Sequence, residues 1–193
     1  MAEDQEKLRH DLLILAEMAA EMSSYIRSDV LFWPMSHADM PRLTLGGYLM
    51  RQHRLAILHT LLNAADQERL RQAMAQFEAA TSKWVVRVEQ RGHKELEARL
   101  RQWTEYLRDK RSDASAKAPS YYATAVETRA MIAAIMAYLQ TPPHRLDDHI
   151  PQTVAMLDKQ LRSCFQSGPF VWPESWQAAY PQSEYWWLYG APL

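Results

Sequence analysis

Apolar side chains recur every three to four residues along most of this chain, and that period is the strongest constraint on its fold. Leu8, Leu12, Leu15, Met18, Met22 and Ile26 place one apolar stripe on a helix spanning roughly residues 3–28. Pro34 and Pro41 forbid continuation through the stretch that follows. Thr44 suits the N-cap of a second helix, to about Asn63, and Asp66 suits the N-cap of a third. Leu70, Met74, Phe77, Trp84 and Val88 mark that third helix. Gly92 then interrupts the stripe, and Leu96, Leu100, Trp103 and Leu107 resume it on a face rotated by about 80°. Either one long helix swings its apolar face, or two helices meet near Gly92.

The polar run Asp109 to Ala118 reads as a loop. Pro119 opens a further helix to about Gln140, stopped by Pro142 and Pro143. A last helix covers roughly residues 146–166 and ends at Ser167-Gly168-Pro169. No strand-like alternation and no internal repeat stands out. With only 5 glycines in 193 residues, a turn-rich β architecture is disfavoured. The expected fold is all-α, an antiparallel helical bundle of five to six helices forming a single domain over residues 1–193. Residues 168–193 are expected as an irregular, aromatic-rich C-terminal arm docked on that bundle.

Chemistry is sparse. The lone Cys164 excludes an intrachain disulfide and reads as a buried structural thiol. His53 and His59 face different sides of a helix, Glu89 and His93 flank Gly92 on a charged surface, and Asp147-Asp148-His149 reads as a helix start. No HExxH, Walker loop, GxGxxG or GxSxG is present, so no metal and no cofactor is expected. No nucleophile–base or acid–base pair can be placed by spacing, which ranks an enzyme last. The acidic N-terminus lacks a signal-peptide pattern, and the longest apolar run, Ala130 to Leu139, is too short to span a membrane. A cytoplasmic protein is expected, from a bacterial source to judge by few Lys and Asn among many Ala, Leu, Arg and Gln.

Net charge is −1, which offers no global field for nucleic acid or an anionic membrane. Residues 83–117 nevertheless hold ten Lys or Arg against six Asp or Glu, while the first helix is acidic. The basic segment reads as a solvated helical face with i, i+4 pairs.

Arginines on apolar arcs are the sharper signal. Arg51 and Arg54 fall within the apolar arc of the second helix, beside Tyr48, Met50, Leu55, Ile57 and Leu61. Arg129 projects from the apolar face of the helix after Pro119. A buried guanidinium without acceptors is costly, so each of these demands a counter-charge. Equal rise from the linker puts Glu21 level with Arg51, and Met18, next to Glu17, level with Arg54. The alternatives are ion pairs at the bundle seam, a pocket for a carboxylate or phosphate, or a subunit interface. Gly46 and Gly47, in the first turn of the second helix, would permit either close helix packing or anion binding at free N–H groups. Arg42, that helix start and Arg51 point to one region, with Trp33 and Tyr48 as aromatic lining.

The last 26 residues carry no Lys or Arg but eight aromatic side chains, so the arm must dock on something. Its Phe170-Val171-Trp172-Pro173 echoes Leu31-Phe32-Trp33-Pro34, and the two fragments would fit together as one aromatic cap. The expected function is a protein-interaction or structural module that self-associates as a homodimer or engages another protein. The runner-up is a small-molecule-binding bundle whose pocket is lined by Arg42, Tyr48, Arg51, Arg54, Arg129 and Trp33.

Overall fold

A computed structural model describes residues 2–37, 39–112 and 119–193. Six α-helices are seen among them: α1 (Ala2–Arg27), α2 (Leu45–Ile57), α3 (Ala64–Thr81), α4 (Val85–Ser112), α5 (Pro119–Leu139) and α6 (His149–Arg162). A two-stranded antiparallel ribbon follows, β1 (Phe165–Phe170) pairing with β2 (Tyr189–Pro192). This is an all-α bundle with an aromatic C-terminal arm.

The stripe of α1 is buried along its length, Leu8, Leu12, Leu15, Met18, Met22 and Ile26 all lying in the core. Its C-terminal carbonyl end is closed by cations from α4: Arg91 donates to the carbonyl oxygens of Ser28 and Val30, and Arg87 to that of Ser28. Positive charge there complements the helix dipole. The linker between α1 and α2 is pinned at both ends, by paired backbone bonds of 3.0 and 2.9 Å between Trp33 and Leu43. Short α2 lies in the middle, packed against α1, α3, α4 and α5, which is why most of its residues are buried. Thr44 caps it as expected, its Oγ1 accepting from the Gly47 N–H at 2.9 Å.

Several expected boundaries move. The second helix stops at Ile57 and a 3₁₀ turn, His59–Leu61, follows; Ile57 and Leu61 are exposed rather than apolar-arc residues. Asp66 is not a cap. Asn63 is, its Oδ1 accepting from the Asp66 N–H at 2.9 Å, while the Asp66 carboxylate meets Arg9 Nε at 3.1 Å. The break between α3 and α4 falls at residues 82–84, not near Gly92. Thr81 bonds back to the Phe77 carbonyl at 2.9 Å, a local competitor to the helix ladder, and Trp84 is exposed and outside the stripe. Gly92 sits inside α4, where Leu139 packs so closely that a Cβ would lie 3.1 Å from its Cδ1. Of the expected loop at 109–118, α4 takes residues up to Ser112, and 113–118 lie outside the described residues. The last helix runs only from His149 to Arg162.

The ribbon escapes a search for alternation because β1 is open to solvent along most of its length and contains Gly168 and Pro169, poor strand formers. Its partner strand needs Gly190, whose φ of +138° is a conformation L side chains rarely adopt. A Cβ there would also sit 2.1 Å from the Gln166 carbonyl oxygen. Gly168 instead has its nearest neighbour at 3.6 Å. Gly190→Ala should therefore cost about 1–3 kcal/mol in a denaturant titration, whereas Gly168→Ala should fall within about 0.5 kcal/mol of the parent chain.

Candidate functional site

The three arginines expected on core-facing arcs differ in what covers them. All three expected on core-facing arcs are buried, with relative exposures of 8% for Arg51, 2% for Arg54 and 5% for Arg129. Neither Glu17 nor Glu21 meets them. Glu21 accepts from the Trp33 indole at 2.6 Å and from the Ser36 hydroxyl at 2.9 Å. Although burial opposes it, these bonds hold the Glu21 carboxyl below its usual range.

Asp11 is the counter-charge instead. Its Oδ2 accepts from Arg54 Nη1 at 2.8 Å, and its Oδ1 lies 3.0 Å from Arg51 Nε. The Arg51 N–H is not directed at that oxygen, so this contact is an ion pair rather than a hydrogen bond. From Tyr25, whose hydroxyl accepts from the Leu45 N–H, back to Asp11 is 14 residues of α1, about 21 Å of rise. From Leu45 to Arg51 and Arg54 is only about 9–14 Å of α2. The two helices are therefore out of step, and matching them residue for residue from the linker picks the wrong acids.

Arg54 is closed in from its other side by the arm. Its Nε donates to the Tyr180 hydroxyl at 3.2 Å, and its guanidinium lies 3.6 Å from the Trp176 ring centre and 5.1 Å from that of Trp172. Burial opposes the charge, but Asp11 and Tyr180 outweigh it and keep Arg54 protonated. Burial also pushes the Tyr180 hydroxyl up to about 12, against the pull of Arg54. Arg129 is sealed in the same style. It makes two bonds to the Asp158 carboxylate, 2.9 and 2.8 Å, and stacks 3.7 Å from the Trp187 ring centre.

The arm thus lies on its own bundle through cation–π contacts and backbone bonds, among them Trp172 Nε1 to the Ala123 carbonyl at 2.9 Å. Tyr122 donates to the Trp187 carbonyl at 2.6 Å. The expected shared aromatic cap does not form. Trp33 is held by Glu21 and Leu43, whereas Trp172 packs on Trp176 and Tyr180. Cys164 is half-buried, its Sγ donating to the Leu161 carbonyl.

The α2 N-terminus already holds an anion, and it comes from α4. Glu95, fully buried, accepts from the Gly46 N–H with both oxygens, at 3.2 and 3.1 Å. Arg99 neutralises it through Nε at 3.2 Å and Nη2 at 3.1 Å, and reaches the Thr44 hydroxyl at 3.2 Å. A Cβ on Gly46 would come within 2.8 Å of Glu95 Oε1 and 2.9 Å of Ile135 Cδ1. Gly46 is there so that an acid and helix α5 can approach closely.

Beside this filled end lies an open cleft of about 540 Å³ between the linker, α2, α4 and α5. Arg42, Arg51, Arg99 and Arg101 line it, with Glu105 and Glu127 as the acids and Phe32, Pro41 and Met131 as apolar wall. Of the residues expected from sequence, it brings together Arg42 and Arg51. Tyr48 faces α3, stacked on Phe77 at 4.2 Å with its hydroxyl on the Ala73 carbonyl. Trp33, Arg54 and Arg129 are also elsewhere. Arg99 and Arg101 were read as part of a solvated basic face, and Glu127 gave no signal apart from its place on α5. Arg51 and Glu127 form a wall shared with a second cleft, which adds Lys7, His10, Asp11, Arg54 and Trp176.

Glu127 is half-buried and accepts no hydrogen bond from any described residue. Burial raises its pKa, opposed by the charges of Arg51, Arg54 and Arg99. Where a folded carboxyl titrates above its unfolded value, the native state holds the extra proton, so stability falls as pH rises between the two. Glu127→Gln should therefore gain stability relative to the parent chain as pH is raised from 4 to 7, measured by thermal melts across that range. Asp11→Ala should cost about 3–5 kcal/mol by chemical denaturation, because two buried guanidinium groups lose their shared acid. Comparison with known proteins finds no matching family model, no similar curated protein and no similar solved structure, so function rests on this geometry.

Proposed function

We propose that the protein binds a small carboxylate- or phosphate-bearing molecule in the cleft formed by Arg42, Arg51, Arg99 and Arg101. The observation that carries this reading is the uneven treatment of the arginines. Arg54 and Arg129 each donate to a carboxylate and lie against an aromatic face, with Arg129 Nη1 turned to no acceptor among the described residues. Arg51, equally buried, shares its acid with Arg54 and turns Nη1 to the Gly47 carbonyl at 2.9 Å, on the wall of an open cleft. Arg42 and Arg101 add exposed guanidinium groups, Arg42 donating through Nη1 to the Phe32 carbonyl, 3.3 Å away. Planar guanidinium forks suit carboxylate and phosphate oxygens. The cleft volume falls within the usual range for small-molecule sites.

Self-association is a second reading, favoured by Trp84 and Val86, which lie exposed on the rim of another cleft at the α3–α4 turn. A Trp84→Ser chain that remains as associated as the parent in sedimentation would remove that support.

Anion binding is tested by calorimetric titration with inorganic phosphate and a panel of small carboxylates. Arg42→Ala/Arg101→Ala should lower affinity at least tenfold, each charged hydrogen bond contributing about 1.5–3 kcal/mol. Its melting temperature should stay within a few degrees of the parent, since both side chains are exposed. Unchanged affinity in the double variant would sink the proposal.

A further inference from the structure

Glu127 is an acid in the wrong place for a site that takes a simple anion. It lines the same cleft as Arg42, Arg51 and Arg101, and Arg51 and Arg99 act on it electrostatically. An anion held by Arg51 is therefore brought near a second negative charge. Had Glu127 closed an ion pair with Arg51, it would serve to seal that arginine, as Asp158 seals Arg129. It does not: no described residue lies within ion-pairing distance of its carboxylate, and the near side of Arg51 is taken by Asp11 and the Gly47 carbonyl. A half-buried carboxylate that faces two clefts and accepts no hydrogen bond from a described residue is open to a donor from outside the chain.

We infer that the ligand is zwitterionic, of the amino acid type, with its carboxylate on the cleft arginines and its ammonium group on Glu127. This rests on the anion-binding reading and specifies it. The ammonium group supplies donors that no described residue gives Glu127, and cancels the repulsion that a bare anion would meet. Phe32, Pro41 and Met131 cover a short apolar body between the two charged ends. Glu105 stands on α4 one turn from Arg101 and faces the same cleft, so it adds to the preference for a ligand with a positive end.

The test titrates the whole chain and its Glu127→Gln variant with amino acids, each matched to its deaminated and its hydroxy acid, and with inorganic phosphate. The parent chain should prefer an amino acid over both partners by about tenfold or more, the scale of one charge-assisted bond. Glu127→Gln should weaken the amino acid about tenfold while binding the deaminated acid and phosphate as well or better. Opposite signs for the two ligand classes are the signature, since a purely structural role of Glu127 would move both together. Equal affinity for amino and deaminated acids, preference for the hydroxy acid, or parallel losses in the variant would overturn the inference. In those cases the loss of binding in Arg42→Ala/Arg101→Ala would still stand as support for the anion site. If the parent chain binds none of these probes, both readings fall.

Discussion

One carboxylate on α1, that of Asp11, holds two buried guanidinium groups on α2. Arg54 in turn holds the arm, through the Tyr180 hydroxyl and the faces of Trp176 and Trp172. Three parts of the chain that are distant in sequence are joined at this point. A charge buried among aromatic rings is tolerable only while its acid is present, which makes the docking of the arm conditional on a residue near the other end of the chain. Arg129, Asp158 and Trp187 repeat the device on α5 and α6, again placing a sealed cation under an arm tryptophan.

The same rule explains why one region differs. At the start of α2 the chain brings its own anion, Glu95, to the free N–H of Gly46, and gives it Arg99 as a partner. The helix dipole and the close-packed glycine are thereby satisfied internally. In the adjoining cleft Arg42, Arg51, Arg99 and Arg101 outnumber the lining acids Glu105 and Glu127. Among the described residues none donates a hydrogen bond to half-buried Glu127, and the charges of Arg51, Arg54 and Arg99 offset its burial only in part, a residual cost of the kind that binding sites carry.

Much of the architecture was legible because the apolar stripes of α1, α4, α5 and α6 obey the helical period wherever they face the core. The apolar arcs also marked Arg51, Arg54 and Arg129 as core-facing, and all three are buried. Their partners were not legible, for a physical reason: the linker lets α2 sit out of step with α1, and pairing depends on that offset. A signal for Asp11 did exist, since it stands between Leu8, Leu12 and Leu15 on the apolar side of α1. Arg99 was hidden differently. Arg99 and Glu95 form an i, i+4 pair that reads as a surface bond, and only tertiary contact with Gly46 makes it a buried one. The ribbon was missed because solvent-exposed strands with glycine and proline carry no period to read.

The central claim concerns the three arginines on core-facing arcs: Arg54 and Arg129 are each covered by a carboxylate and an aromatic face, while Arg51 stands on a wall open to an external anion. Crystals soaked in selenate would show this directly, because selenium can be located by anomalous scattering. The account predicts a peak in the cleft bounded by Arg42, Arg51 and Arg101, and none at Arg54 or Arg129. An anion bound at Arg54 or Arg129, with that cleft empty, would contradict it.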